Sequence, residues 1–184
     1  MNIFATSECP VESAYNLPHC HVVKMITETC QLLSAAHIIL DNSTDERLSK
    51  LTHKNHPSSV WTRACKDNYM WLLEHLQALS EVYTLKHGKV HGAIEKRLQA
   101  LLEPPRAIPD TTFVYKGLPT PSMPDMFKQM SVSTDVKYQL YMNYKYLEWI
   151  KEDNRACKGL VWSVDYPEWL DKSIVEYSEK LRGN

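Results

Sequence analysis

The sequence predicts an all-α fold, a single helical domain over residues 1–184 interrupted by a long proline-rich loop at 103–124. Three observations carry this: apolar residues recur at three- and four-residue steps, only five glycines occur in 184 residues, and six of the ten prolines fall within one stretch. From His21 to Leu40 the apolar set Val22, Met25, Ile26, Leu32, Leu33, Ala36, Ile39 and Leu40 marks a helix, entered after Pro18 and left at Asp41-Asn42-Ser43. Beyond Pro57, the spacing of Val60, Trp61, Ala64, Tyr69, Trp71, Leu72, Leu76, Leu79, Val82 and Tyr83 predicts one long helix stopping near Gly88. Ile94, Leu98, Leu101 and Leu102 form a third helix that Pro104-Pro105 ends, because proline lacks a donor and restricts the residue before it. The proline-rich stretch reads as irregular, extended at Thr111–Tyr115. Helix resumes around Asp135–Asp153, and a last helix is expected to open at Pro167.

Composition narrows the function. Apolar residues make up 43% and charged residues 23%, which is globular and not disordered. A net charge of −1 excludes a uniformly basic nucleic-acid coat and an acidic tail protein. No apolar run reaches the ~20 residues that spanning a bilayer requires, and the start MNIFATSECPVESAY shows no signal peptide. The five dispersed cysteines, Cys9, Cys20, Cys30, Cys65 and Cys157, read as reduced thiols, so the expected compartment is the cytoplasm.

Charge is unevenly distributed. Arg47, Lys50, Lys54, Arg63 and Lys66, with His53 and His56, span a segment without any acid, whereas the first 46 residues carry six acids against the single base Lys24. Such a segment is either a phosphate-contacting face or an ordinary solvated surface. On the first long helix His21 and Glu28 are seven residues apart and so point within about 20° of each other, with Lys24 between them. Both stand at the border of the apolar face, where a side chain is half buried. Glu28 there could act as an acid or base, with His21 and Lys24 holding an anion. Lys24 and Glu28 also make a simple i,i+4 surface pair, and on spacing alone that is the plainer reading. Near the end, Tyr138, Tyr141, Tyr144, Tyr146 and Trp149 interleave with Lys137 and Lys145. Tyr138, Tyr141 and Trp149 share one face and suit a core, leaving Tyr144 and Lys145 freer for nucleic acid. Histidines cluster at His19/His21, His53/His56 and His87/His91, none in a zinc-type pattern, and no glycine-rich phosphate loop or nucleophile elbow occurs.

Four of these features together resemble the pyrimidine-dimer DNA glycosylases of the endonuclease V type, found in phages and bacteria. Met1-Asn2-Ile3-Phe4 resembles the short amino-terminal segment leading to the active site of that family. His21-x6-Glu28 resembles its helix with a histidine and the catalytic glutamate. Asn55-His56-Pro57 resembles an Asn-His-Pro turn before a long helix, and Tyr141–Trp149 resembles its aromatic, lysine-rich carboxy-terminal segment. Residues from about 154 to 184 have no counterpart. The resemblance implies a helical enzyme without metal or cofactor, whose partner is DNA. A free α-amine attacks the deoxyribose C1′, a glutamate stabilises the sugar cation, and β-elimination can follow. Carried onto this chain, Glu28 is the carboxylate. The amine belongs to Met1 or, were Met1 removed, to Asn2; the bulk of Asn2 favours Met1. His21 neighbours the sugar-phosphate, and Lys24, Lys54, His56, Arg63, Tyr144 and Lys145 face DNA.

The expected activity is therefore a DNA glycosylase, with or without lyase activity, on a damaged or modified pyrimidine. Two other readings remain at this stage. One is a phage enzyme of another reaction type on a DNA base. The other is a non-catalytic interaction protein using surface aromatics such as Trp162 and Trp169.

Overall fold

A computed structural model describes residues 1–111 and 122–183. Among them the regular structure is helical with no strand: α1 Pro10–Tyr15, α2 His19–Leu40, α3 Pro57–Thr62, α4 Lys66–His87, α5 Gly92–Leu101, α6 Asp125–Lys128, α7 Thr134–Lys151, a 3₁₀ turn at Arg155–Gly159, and α8 Lys172–Arg182. The all-α expectation holds. The expected extended run is outside the described residues from 112 onward.

The central helix is α2, which packs against α3, α4 and α5. Its inner face buries Val22, Met25, Ile26, Cys30, Leu32, Leu33 and Ala36, the stripe that three- and four-residue spacing demands. Pro18, with an extended backbone, stands at its entrance, and the Asp41 N–H closes its end on the His37 carbonyl at 3.0 Å. The Asp41 carboxylate then accepts from the backbone N–H groups of Arg106 (2.8 Å) and Ala107 (3.0 Å), pinning the start of the proline-rich stretch. Gly88 ends α4 in the left-handed region, φ 63°, where a residue without a Cβ is least strained.

Two expected elements differ. The helix drawn from Pro57 to Gly88 is two helices, parted at Arg63–Cys65. The Trp61 carbonyl accepts from the buried Asn68 amide at 2.7 Å, and Cys65 is fully extended before α4. A side chain thus substitutes for the next helical N–H, and the apolar rhythm runs on across the break. The last helix begins at Lys172 and not at Pro167. Asn143 of α7 holds that segment at both ends, donating to the Trp169 carbonyl and accepting from the Asp171 N–H, each at 2.9 Å. Asp171 then caps the helix through the Ser173 N–H at 2.8 Å.

The carboxy-terminal residues fasten the entrance of α2. The His19 N–H donates to the Val161 carbonyl at 2.8 Å, and the Trp162 indole N–H to the Asn16 carbonyl at 2.9 Å. Gly159 lies so close to α2 that a Cβ there would stand 2.6 Å from the Cβ of Cys20. Trp162 is buried, which corrects its expected place on the surface.

Candidate active site

Residues 3–6 run through the core, each of them buried, and deliver the amino end to the outer side of α2. The Asn2 side chain shapes that delivery. Its Oδ1 accepts from the N–H of Ile3 (2.8 Å), the N–H of Phe4 (3.2 Å) and the Tyr138 hydroxyl (2.9 Å). Its Nδ2 donates to the Ser122 carbonyl at 2.6 Å. The tight turn leaves Phe4 at φ 54°, a left-handed conformation that costs a side chain about 1–2 kcal/mol.

Beside this turn, Glu28 receives two positive dipoles or charges. Its Oε2 accepts from the Asn2 backbone N–H at 3.0 Å, and its Oε1 lies 3.4 Å from the Lys24 ammonium. The expected i,i+4 pair therefore exists, and the amino end joins it from 26 residues away. The Lys24 side chain is 70% exposed and that of Glu28 15%, so the carboxylate is sheltered behind a solvent-facing amine.

His21 lies deeper than a helix border implies. It is 5% exposed. Its ring packs against Phe4, Tyr146 and Trp149 at centroid distances of 4.7, 5.6 and 5.5 Å. Burial, helped by the charges of Lys145 and Lys24, holds its pKa well below the usual imidazole value. His21 is thus enclosed and its charged form disfavoured, whereas an anion-holding imidazole would need to face the anion in its charged form. Its Nδ1 approaches the Cys20 thiol at 3.3 Å, while Nε2 is buried without a hydrogen-bond partner among the described residues.

Lys145 is also less free than expected. Its ammonium stands over three aromatic rings, 5.1 Å from the Phe4 centroid, 5.6 Å from Tyr141 and 4.9 Å from Trp149. No hydrogen-bond acceptor or carboxylate among the described residues pairs with it directly. Burial first, and Lys24 second, lower its pKa below the ordinary lysine value, against the opposing pull of Cys20 and Glu28. Tyr144, one residue earlier, is exposed at its rim and touches Phe127 at a centroid distance of 5.6 Å.

The acid-free segment is not acid-free in space. Arg47 is held by Asp45 at 2.6 Å, and Lys66 faces Asp110 at 3.9 Å. Lys54 is exposed, and its carbonyl accepts from the Arg63 guanidinium at 2.9 Å, so Arg63 serves partly to fix that loop. His56 caps α3, its Nδ1 accepting from the Ser58 N–H at 3.2 Å. Its pKa is lowered, by burial first and then by the charges of the amino end and His53, while Glu28 opposes. His56 therefore lies within electrostatic reach of the Asn2–Glu28 contact. The other histidines disperse: His19 meets His87 with 2.8 Å between their Nε2 atoms, and His91 caps α5. Among the described residues, no three His, Cys, Asp or Glu side chains converge as a metal site.

One short segment, one helix and one turn thus meet around a carboxylate, and this same stretch carries the family match. Residues 1–96, just over half of the chain, match pyrimidine dimer DNA glycosylase. The chain belongs to that family. Neither the curated proteins nor the solved structures give a match. As a member of the pyrimidine dimer DNA glycosylase family, the chain has DNA as its partner at the family level. No helix among the described residues is long and apolar enough to cross a membrane. The matched residues include Met1, Asn2, His21, Lys24, Glu28, Lys54, His56 and Arg63, while Tyr144 and Lys145 lie beyond them. Sequence reasoning missed Phe4 as a site residue. Its signal is a backbone angle, φ 54°, that no residue pattern announces.

Proposed function

We propose that the protein excises a damaged or modified pyrimidine from DNA by amine–sugar catalysis, with Glu28 as the carboxylate. The observation that carries this reading is the Glu28 side chain shared between the Asn2 backbone N–H at 3.0 Å and the Lys24 ammonium at 3.4 Å. An α-amine with a pKa near ~8 is unprotonated in roughly a tenth of molecules at pH 7, far more than an ordinary lysine. The amine of Met1 attacks C1′ of the deoxyribose; after removal of Met1, that of Asn2 does so. The N–C1′ bond forms as the glycosidic bond breaks, and its electron pair leaves with the base. Glu28 stabilises the positive charge that develops on the sugar and takes up the amine's proton. The nitrogen lone pair then breaks the C1′–O4′ bond, O4′ taking a proton back from Glu28, to give an open-chain imine; loss of a C2′ proton from that imine expels the 3′ phosphate, the lyase step.

Lys24, Lys54, His56, Arg63 and Tyr144 surround this chemistry as contacts to the DNA backbone or to an unstacked base. Their charges and hydrogen bonds repay the few kcal/mol needed to extrude a nucleotide. His21, buried and neutral, has a supporting place beneath Phe4 in this scheme.

Borohydride trapping tests the reading. The protein with its native amino end is incubated with duplexes carrying a single pyrimidine dimer, or another altered pyrimidine, and reduced. A covalent link located by mass spectrometry on the first residue is the expected result, and identifies that residue. Glycosidic-bond cleavage without a link, seen as an abasic site, would replace the amine by water acting with Glu28. Neither product on any substrate would reject the glycosylase reading.

A further inference from the structure

The amine–sugar reading supplies a nucleophile and a stabilising carboxylate, but no proton for the departing base. We infer that Lys145 is a further catalytic residue, the acid that protonates the pyrimidine at its O2 carbonyl as the glycosidic bond breaks. This rests on the reading above. The proton moves from Nζ to O2 while the bonding pair settles in the ring. Lys145 is left a neutral amine and regains a proton from solvent after release.

The cage is the reason. Phe4, Tyr141 and Trp149 present ring faces to the ammonium at 4.9–5.6 Å, which favours its charged form without filling any of its three N–H donors. A half-buried ammonium with empty donors suits an acceptor brought in from outside. A phosphate is served more cheaply by Lys24, whose side chain is 70% exposed. The backbone is bent to build the cage, since Phe4 reaches Lys145 from a left-handed conformation at φ 54°. The ring of Phe4 also touches His21 at 4.7 Å, and its backbone N–H is held by the Asn2 side chain at 3.2 Å, so the cage and the carboxylate share one turn. The titratable groups facing Lys145 are Lys24, Glu28, Cys20 and the neutral His21 of α2, with Tyr141 on its own helix. Their balance, added to burial, makes the ammonium more acidic than a solvated lysine.

Single-turnover kinetics on a duplex with one thymine dimer test this, using wild type, K145R and K145M, with affinity and melting temperature measured alongside. Arginine keeps the charge but does not give up a proton at any working pH. K145R is expected to bind DNA within about threefold of wild type and to react about 10²-fold more slowly. The wild-type rate should fall as pH rises through the Lys145 pKa, which lies below that of an ordinary lysine, and K145R should lack that limb. A K145R rate equal to wild type overturns the inference, as does a wild-type profile without an alkaline limb. Loss of affinity in K145M with an unchanged saturating rate would make Lys145 a phosphate contact and also overturn it. A wild type that cleaves no glycosidic bond of the dimer, scored by abasic-site formation, fails the glycosylase reading and this inference together. An active wild type with an equally active K145R fails this inference alone.

Discussion

Two opposite charges sit on two helices of this molecule, and they are held in different ways. Glu28 on α2 is fixed by directional partners, a backbone N–H at 3.0 Å and an ammonium at 3.4 Å. Lys145 on α7 is surrounded by three ring faces and has no directional partner among the described residues. The first arrangement fixes the position of a charge and lowers its energy. The second shelters a charge while leaving its hydrogen-bonding capacity unspent. One amino-terminal turn serves both, because Asn2 meets Glu28 and Phe4 meets Lys145.

The strongest way to break this contrast is to remove the carboxylate charge. Glu28→Gln preserves shape and should slow single-turnover base release by about 10³-fold while leaving DNA affinity within a few-fold. Retained turnover would remove Glu28 from the chemistry.

A second test addresses the seat on which both charges depend. His75 of α4 is fully buried, with its Nδ1 2.9 Å from the Pro10 carbonyl, beneath the amino-terminal segment. Burial pushes its pKa down to about 4. The unfolded chain therefore takes up a proton near pH ~6.5 that the folded chain refuses, and stability falls as pH drops from there towards 4. The span corresponds to about 3 kcal/mol. His75→Gln keeps a donor for Pro10 and does not titrate, so its urea stability measured at pH 7 and pH 5 should differ less than that of wild type. An unchanged difference would mean that His75 is not the source.

The smallest expected effect sharpens the cage itself. Phe4→Leu keeps apolar bulk and the same backbone strain but removes one ring face. A cation–π contact of ~0.5–2 kcal/mol then moves the alkaline limb of the rate profile down by roughly 0.4–1.5 pH units. A limb that stays in place would show that this ring does not stabilise the ammonium.

How much of this could be read beforehand depended on distance along the chain. Helix α2, its proline entrance and the stop at Gly88 follow from local rules, and so does the Lys24–Glu28 pair at four-residue spacing. The break at Arg63–Cys65 did not, because Asn68 reaches back to take the Trp61 carbonyl while the apolar rhythm continues. The delayed start of α8 depends on Asn143, a residue of another helix. The contact between Asn2 and Glu28 was accessible only through family resemblance. The cage was not accessible at all, since Phe4 is 137 positions from Tyr141 and 145 from Trp149. Tyr141 and Trp149 looked like core because a cage wall and a core residue have the same helical spacing.

The amino-terminal turn has a further consequence, for the order in which the chain matures. Asn2 is tied to Ser122 and Tyr138, and the Thr6 carbonyl to Gln139, across 120, 136 and 133 positions. Synthesis proceeds from the amino end and contacts this remote close late. The first residues made therefore complete their contacts late, and a nascent or truncated chain ending before α7 keeps the Asn2 contacts to Glu28 and Ser122 but lacks those to Tyr138 and Gln139. The full set of hydrogen bonds at the amino-terminal turn is thereby completed only once α7 has been made.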